Sequence, residues 1–298
     1  MSSAPALLFF HTGQFPGYLR RTMESARYFN PDSRLILITD RHPDLGWING
    51  EVVQVADLGH PLLPEFQRRY VHISGLKVAA EKLFLERWFH LDRLLEREGI
   101  AEAIYLDSDC ALFSHARDLF QLVPDGSPVC SKSGGPAVTF LRGRILTFLE
   151  FILERYTDEP FLTSWRQRSD AAIARGGLDN LGDMVFLELF AASGRGGAIY
   201  PNDTPHGHID HCINIADGLH VRRRRKGRVC KQIFWEIKDQ TLIPFFETPT
   251  GQRRQALAIH FQDKAKRMIG RFNPIPPGSG WPLTWRQRFF NHHQFWAH

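Results

Sequence analysis

The chain has 298 residues, 43% of them hydrophobic and 23% charged, which excludes a disordered or collagen-like protein and allows a core built without disulfides. No apolar run approaches the ~18 residues that span a bilayer, and the apolar stretch at 6–10 lacks the basic flank of a signal peptide, so we expect a cytoplasmic protein. The net charge of +5 suits an anionic ligand but does not by itself indicate nucleic acid.

Strand-like and helix-like segments alternate through the first half of the chain. Short apolar runs predict strands at 7–10, 35–39, 51–55, 103–106 and 110–113. Apolar residues at helical spacing predict helices at about 18–29 and 74–98. This alternation predicts an α/β domain with a mainly parallel sheet.

The second half is less regular. The sequence predicts helices at 141–156 and 180–192 and short strands near 232–237 and 256–260. We find no clean linker, so we assign residues 1–270 to one domain and residues 271–298 to a tail rich in aromatic and basic residues. For this tail, packing on the domain is favoured over an interfacial amphipathic helix.

Polar residues follow three of the predicted strands, at His11-Thr12-Gly13, at Asp40 and at Asp107-Ser108-Asp109. In parallel sheets ligands bind beyond the carboxyl ends of the strands, so these ends form the candidate ligand site. Asp107 and Asp109 can hold a hard divalent cation, which can bridge the oxygens of a diphosphate. A solvated acidic turn is the alternative for so short a pattern.

A second candidate is the segment from His260 to Lys266, which follows another short strand. A neutral imidazole can ligate a metal, and a lysine can contact phosphate as a point charge. A lone histidine in such a segment is more often structural, and both interpretations stay open on these residues alone.

These segments, together with Arg87-Trp88-Phe89 and Gly182-Asp183-Met184, resemble GT-A-type glycosyltransferases. The nearest group is family 8, with glycogenin and the lipopolysaccharide galactosyltransferases, and bacterial sugar-transferase-like proteins are also similar. The likeness runs over about residues 5–270, although only these short segments are specific. It implies a Rossmann-like nucleotide-diphospho-sugar transferase fold with a C-terminal extension.

The resemblance also implies an activity. A hexosyltransferase of this kind moves a sugar from a nucleotide-diphosphate sugar, most often a UDP-sugar, to a glycan or lipid-linked acceptor in polysaccharide biosynthesis. Asp107, Asp109 and His260 match the ligands of Mn²⁺ or Mg²⁺, and Lys266 matches the lysine that binds the diphosphate. No nucleophile follows from the sequence, so retention or inversion at the sugar stays open.

Other matched residues concern the donor. Arg87 resembles a basic residue that reaches the nucleotide or donor sugar, and Asp183 resembles an acidic, candidate catalytic residue near that sugar. Thr12 and Gly13 lie where the family binds the base and ribose. Asp40, at the end of the next strand, is assigned to the same nucleotide.

The chain departs from the family pattern at two places. Asp263 stands where the family has a glycine three residues after the histidine, and its carboxylate is expected to crowd or repel a diphosphate. The Asn-x-Gly segment that the family carries after the aspartate pair is absent, and Gly134-Gly135-Pro136 occupies a comparable stretch.

Two further polar runs have alternative interpretations. Residues 206–212 hold five potential metal ligands; we favour a polar loop on the acceptor side, with Asp210 as its candidate catalytic residue, over a separate zinc site. Residues 222–226 are all basic, and a solvated loop is favoured over a diphosphate clamp or a patch that contacts anionic lipid at the inner face of a membrane.

Other classes of function rank lower. A nucleotide-sugar-binding protein without catalysis gains support from Asp263. An aspartate-dependent phosphatase also uses Asp-x-Asp after a strand, but usually after the first strand of the chain. A nucleic-acid binder would depend on the basic run alone, and we expect no nucleic acid partner.

Overall fold

The structure is a computed structural model that describes residues 4–177, 179–223, 229–238 and 241–269. Its helices are α1 (Gly17–Phe29), α2 (Leu63–Arg69), α3 (Val78–Glu98), α4 (Ala116–Phe120), α5 (Leu146–Arg155), α6 (Glu159–Ala174), α7 (Asp183–Ala192) and α8 (Lys266–Ile269). Its strands are β1 (Ala6–Phe10), β2 (Leu35–Thr39), β3 (Glu51–Gln54), β4 (Glu102–Leu106), β5 (Cys110–Leu112), β6 (Val129–Ser131), β7 (Val138–Arg142), β8 (Ala198–Tyr200), β9 (Asp203–Thr204), β10 (Gly207–Ile209), β11 (Val221–Arg223), β12 (Val229–Lys231), β13 (Phe234–Lys238), β14 (Thr241–Glu247) and β15 (Arg253–His260).

A seven-stranded sheet in the order β3-β2-β1-β4-β7-β6-β8 forms the centre of the fold. Neighbouring strands are parallel except where β7 runs antiparallel to β4 and β6. The predicted α/β class and the mainly parallel sheet are therefore confirmed. Every residue of β1 and β2 is buried, because both faces of this sheet are covered and the strands can be apolar throughout.

Helices cover the two faces of the central sheet. On one face α3, α5 and α7 pack through Trp88, Phe148 and Phe186 against alternate residues of the strands. On the other face α1 and α4 pack through side chains such as Met23 and Leu119. The strand residues alternate between these two layers, as the period of two in an extended chain requires.

Helix α3 begins at Val78, four residues later than the sequence predicted. The loop before the helix forms hydrogen bonds with Asn180 instead of extending the helix. Asn180 Oδ1 accepts from the Ser74 hydroxyl at 2.8 Å and from the Gly75 amide at 3.1 Å. The C-terminal end agrees with the prediction, since Gly99 follows Glu98 with φ 59°, the left-handed conformation that glycine favours.

Helix α5 begins at Leu146, so the predicted helix at 141–156 was wrong at its start. Leu141 and Arg142 belong to β7, which pairs antiparallel with β4. Gly143, with φ 66°, ends that strand. The β-rich run Val138–Arg142 thus satisfies its backbone in the sheet before the chain turns into the helix.

A second sheet places β15 beside the aspartate pair. Its order is β13-β14-β15-β10-β9, and β5 pairs with the other part of β15. His260, the last residue of β15, lies opposite Cys110, the residue directly after Asp109. The predicted strand at 232–237 is shifted to Phe234–Lys238.

Several predictions concern parts of the chain outside the described residues. These are the tail at 271–298 with its aromatic side chains, and Arg224, Arg225 and Lys226 of the basic run. The division into 1–270 and 271–298 therefore stays a prediction. Within the described ranges, no helix combines the length and the apolar character needed to cross a membrane.

Candidate functional site

The aspartate pair occupies the tight turn between β4 and β5. The Cys110 amide donates to the Asp107 carbonyl at 2.9 Å and closes this turn. The Asp107 amide donates to the carbonyl of Ala137, just before β7, at 3.0 Å. These hydrogen bonds hold the backbone that carries both carboxylates at the carboxyl end of a buried central strand.

Asp107, Asp109 and His260 converge at this turn, and one ligand atom from each lies within 4.8 Å of the others. His260 Nε2 is 3.2 Å from Asp109 Oδ1 and 4.0 Å from Asp107 Oδ2. His260 Nδ1 donates to the carbonyl of His211 at 2.7 Å, which orients the ring so that Nε2 faces the carboxylates.

The remaining carboxylate oxygens are held by other side chains. Asp107 Oδ1 accepts from Arg87 Nη1 at 2.9 Å and from the Tyr105 hydroxyl at 2.7 Å. Asp109 Oδ2 lies 3.0 Å from Lys266 Nζ. One oxygen of each aspartate and one ring nitrogen are thus directed toward a common point, an arrangement that fits a divalent cation with oxygen and imidazole ligands.

Without a metal, His260 and Asp109 form a charged pair. Burial of His260 opposes protonation, but the hydrogen bond to Asp109 and the charges of Asp109 and Asp107 outweigh it and raise the pKa of His260 to about 9. Burial likewise opposes ionisation of Asp109, yet His260 and Lys266 hold the pKa of that carboxyl below its usual value. A proton therefore occupies Nε2 at neutral pH when no metal is bound.

Metal binding is consequently expected to release a proton from His260. Because only neutral imidazole ligates, Mn²⁺ affinity should rise about tenfold per pH unit between pH 7 and 9 and level off above. Calorimetric titration at pH 7 in two buffers of different ionisation enthalpy should report release of about one proton per ion. His260→Gln should bind more weakly and release none. Equal proton release by this variant and the parent would contradict the role of His260.

Arg87 connects the aspartate turn to Asp183. Its guanidinium is buried, and its Nη2 donates to Asp183 Oδ2, which also accepts from Trp88 Nε1 at 3.3 Å. Burial raises the pKa of Asp183, although Arg87 favours its charged form. Asp183 is the first residue of α7, where the helix dipole stabilises a carboxylate. Both residues predicted to serve the donor thus lie in one hydrogen-bonded group with Asp107.

A glycine turn fixes the start of α7. A Cβ on Gly134 would lie 1.9 Å from the carbonyl oxygen of Met184, and the residue has φ 66°. Only glycine fits both this conformation and this close backbone contact. The Gly134-Gly135-Pro136 stretch, noted in the sequence in place of the family's Asn-x-Gly, therefore packs directly against the helix turn that carries Asp183.

The structure brings Gly13 and Asp40 together at the ends of β1 and β2. The Gly13 amide donates to Asp40 Oδ1 at 2.7 Å, and Gly13 has φ 86°. Thr12 is half-buried beside them. β1 pairs with β4, with Phe9 opposite Leu106, so this group and the aspartate turn open at the same sheet edge. Among the described residues, no hydrogen bond or ion pair joins the two groups.

Asp210 is fully buried in an ion-pair network with Lys231. The Lys231 ammonium donates to Asp210 Oδ1, to Asp217 Oδ2 at 2.6 Å and to the Cys212 carbonyl at 3.1 Å. Burial opposes ionisation of Asp210, but His208 and Lys231 lower the pKa of this carboxyl. Asp210 Oδ2 accepts from the backbone amide of His260 at 3.3 Å, so the network supports the end of β15.

This network corrects the expected polar loop at 206–212. Residues Gly207–Ile209 form β10, which pairs with β15. His208, Asp210 and Asp217 lie close enough to share a metal, but the ammonium of Lys231 occupies the position between the carboxylates. The basic run begins in a strand, since β11 ends at Arg223, and its other three residues lie outside the described residues.

Lys266 and Asp263 lie in the segment after β15. The Lys266 ammonium sits 5.0 Å from the centre of the Tyr18 ring, and its contact with Asp109 raises the pKa of this lysine despite burial. Asp263 is exposed and has φ 52°, in the left-handed region that glycine favours. The aspartate thus keeps a glycine-like backbone, and its side chain is turned toward solvent.

Asp263→Gly is expected to raise the free energy of unfolding by about 0.5–1 kcal/mol, because a left-handed residue costs less as glycine. Urea unfolding measures this change. Asp263→Ala is the matched control, since it removes the charge and keeps the strained conformation. If the charge also repels a diphosphate, both variants should bind UDP more tightly at low salt. Equal stability of the two variants would contradict the conformational account.

No protein-family model matches the chain, and its sequence finds no match among curated proteins. Several solved glycosyltransferases are similar in structure. The one involved in glycosylation of the major capsid of PBCV-1 shares 11% identity over 90% of this chain and 100% of its own, with a TM-score of 0.44. Mouse xyloside xylosyltransferase 1 shares 14% identity over 65% of this chain and 84% of its own, with a TM-score of 0.41.

A third structure, GlyE of Streptococcus pneumoniae TIGR4, shares 13% identity over 66% of this chain, with a TM-score of 0.37. This chain spans 45% of the length of GlyE. Because these TM-scores are low, the fold class is assigned from the strand pairing, and the proposed chemistry is derived from the site residues alone.

Proposed function

We propose that this protein is a metal-dependent glycosyltransferase that uses a nucleotide-diphosphate sugar, a UDP-sugar, as donor. The observation that carries the proposal is the convergence of Asp107, Asp109 and His260 at the carboxyl end of β4, with Lys266 beside them. Two carboxylates, an imidazole and an ammonium at one sheet edge suit a divalent cation together with a diphosphate.

Each charged group has a separate task in this proposal. Asp107, Asp109 and His260 would hold Mn²⁺ or Mg²⁺, which when bound neutralises charge on a departing diphosphate. Lys266 lies beside Asp109, next to the proposed metal position. Its ammonium would add a positive charge where negative charge develops on the departing diphosphate. Arg87 fixes Asp107 in position by its hydrogen bond.

The donor is assigned to two neighbouring groups. Asp183 and Arg87 would contact the sugar, and Asp183 is the candidate catalytic carboxylate on that side. Thr12, Gly13 and Asp40 would contact the base and ribose at the adjacent strand ends. Asp210 was also a candidate catalytic residue, and its hydrogen bond to the His260 amide supports a positioning role.

The other parts of the proposal follow the sequence resemblance. The acceptor would be a glycan or a lipid-linked sugar, in a bacterial pathway of polysaccharide synthesis. The protein would act in the cytoplasm and would contact the inner face of the membrane peripherally. We propose no nucleic acid partner.

A panel of nucleotide sugars with and without Mn²⁺ tests the proposal. Thermal unfolding should shift upward with UDP and UDP-sugars only when Mn²⁺ is present, because a ligand of the folded state stabilises it by mass action. The UDP-sugar that gives a shift should then be consumed with release of UDP when acceptor sugars are added. If no nucleotide sugar binds in the presence of Mn²⁺ or Mg²⁺, the proposed function is wrong. Binding without any UDP release would instead favour the non-catalytic alternative.

A further inference from the structure

Glu81 is a buried carboxylate that the proposed chemistry does not yet use. It lies in the first turn of α3 and is 1% exposed. Neither of its oxygens accepts a hydrogen bond of normal geometry from any residue that the structure describes, and the Ser74 hydroxyl beside it donates to Asn180 instead. A buried carboxylate without donors is costly, so natural proteins rarely keep one unless a ligand or water completes it.

The other buried acids near the site differ in this respect. Asp183 accepts from Arg87 and Trp88, and Asp210 accepts from Lys231. Farther along α3, Asp92 accepts from Arg144 and from the amide of Ile145. Glu81 therefore stands apart as a buried acid whose hydrogen-bonding capacity is open.

Other polar side chains surround Glu81, and one of them also lacks a hydrogen-bond partner within the described part of the chain. His72 lies beside Glu81, with Nδ1 3.8 Å from Glu81 Oε2 and 3.0 Å from the Tyr70 hydroxyl. His72 is about one-quarter exposed and so reaches solvent. The buried hydroxyl of Tyr156 also lacks a partner among the described residues, and the charge of Glu81 acts on it.

Hydrogen bonds join the loop before α3 to the segment that precedes Asp183. Asn180, three residues before Asp183, holds the loop ahead of α3 through Ser74 and Gly75. Glu81 and Arg87 are six positions apart on α3, or about 9 Å along the helix axis.

Electrostatics agree with this placement. Burial raises the pKa of Glu81, the neighbouring Ser74 and His72 favour its charged form, and the charge of Asp183 opposes it.

Exposed apolar side chains occur in the same segments of the chain. Leu76 precedes α3, Val78 is its first residue, and Met184 follows Asp183; each is more than one-third exposed. A few converging polar groups with apolar neighbours are typical of a small-molecule site. A sugar offers hydroxyl donors on its rim and C–H groups on its faces, so its chemistry matches both features.

We propose that Glu81, with His72 beside it, binds a hydroxyl group of a sugar next to Asp183. The inference rests on the proposed function, because it places this subsite beside the donor site. The hydroxyl comes either from the sugar of the donor or from the acceptor sugar, and the carboxylate accepts its hydrogen bond in both cases. Glu81 is then the residue that selects the sugar, and the nucleotide is held elsewhere.

Glu81→Gln tests this inference with little change in side-chain shape. Its binding of UDP and of UDP-glucose, UDP-galactose and UDP-xylose is compared with that of the parent by calorimetry in the presence of Mn²⁺. A second assay follows UDP release from the donor that the parent binds, alone and with lactose or maltose. Glu96→Gln is the matched control, because it removes an exposed carboxylate from the far end of the same helix.

Two results support the inference and identify the source of the hydroxyl. If Glu81 contacts the donor, the variant binds the UDP-sugar about tenfold more weakly while its affinity for UDP stays unchanged. If Glu81 contacts the acceptor, UDP-sugar affinity is kept and the stimulation of UDP release by free sugar falls about tenfold. Unfolding temperature should hold or rise, because a buried carboxyl group without hydrogen-bond donors is replaced.

Two other results overturn it. If the parent binds UDP with Mn²⁺ but the variant matches the parent in both assays, this inference fails and the proposed function stands. Equal loss of UDP and UDP-sugar binding, with a lower unfolding temperature, would show that Glu81 is structural. If the parent binds no nucleotide at all, the proposed function fails and the inference fails with it.

Discussion

Replacing both Asp107 and Asp109 with asparagine is expected to weaken Mn²⁺ binding by at least about 100-fold, since changes even behind the ligands cost about 10- to 100-fold. The substitution removes both negative charges from the ligand set and leaves His260 as its neutral member. Asparagine keeps the size of the side chain and an oxygen that can accept from Arg87 and Tyr105. The fold should therefore survive, and calorimetric titration of Mn²⁺ with and without UDP measures the loss.

The matched control replaces Asp118 and Asp125, two exposed aspartates, with asparagine. This double variant has the same change in net charge and should bind Mn²⁺ as the parent does. An Asp107→Asn, Asp109→Asn protein that retains Mn²⁺-dependent UDP binding would show that the cation is held elsewhere.

Lys231→Met is expected to lower the free energy of unfolding by about 3–5 kcal/mol, because it leaves buried Asp210 without its charged partner. Lys231 is 1% exposed and holds Asp210, Asp217 and the Cys212 carbonyl together. Methionine fills a similar volume, so the loss reports the charge rather than a cavity. Urea unfolding at pH 7 gives the difference.

Two further variants separate this effect from general surface charge. Lys264→Met, at an exposed lysine, should change stability by no more than about 0.5 kcal/mol. Adding Asp210→Asn to Lys231→Met should restore part of the loss, because the uncompensated buried charge is then gone. A loss below about 1 kcal/mol in the single variant would mean that the network contributes little to stability.

The parts of the fold that the sequence predicted are those governed by local pattern. β1, β2 and β4 are continuous apolar runs, and the end of α3 is marked by Gly99. The start of α3 was placed too early because the competing hydrogen bonds come from Asn180, about 105 positions away. Such a partner leaves no signal in the local sequence.

Other elements were missed for different reasons. α6 was not predicted, although Asp158 caps it and Pro160 lies in its first turn, which is a recognisable start signal. The last two residues of β7 were read as the beginning of a helix because Leu141 stands at helical spacing from Ile145 and Phe148. Only its pairing with β4 distinguishes the two conformations.

The candidate site shows the same division. Strand-end position and family resemblance pointed to Asp107, Asp109, His260 and Lys266, and the structure brings these four together. Lys231 was not singled out, because the partner that defines it, Asp210, lies 21 positions away in another strand region.

Glu81 was missed because a glutamate in a helix usually faces solvent. Its burial follows from tertiary packing, which a pattern of residue types along one helix does not reveal. Asp263 was expected to crowd a diphosphate, and this stays a prediction; its exposed position and left-handed backbone add a conformational role that the sequence did not indicate.

The most direct test of the central claim is a crystal structure of the protein with Mn²⁺ and UDP, with the metal located by its anomalous scattering. The account predicts one strong peak about 2.0–2.6 Å from oxygens of Asp107 and Asp109, with His260 Nε2 and the diphosphate as further ligands. Lys266 should lie against the same diphosphate. A metal bound away from Asp107 and Asp109, or UDP bound without contact to that metal, would contradict the account.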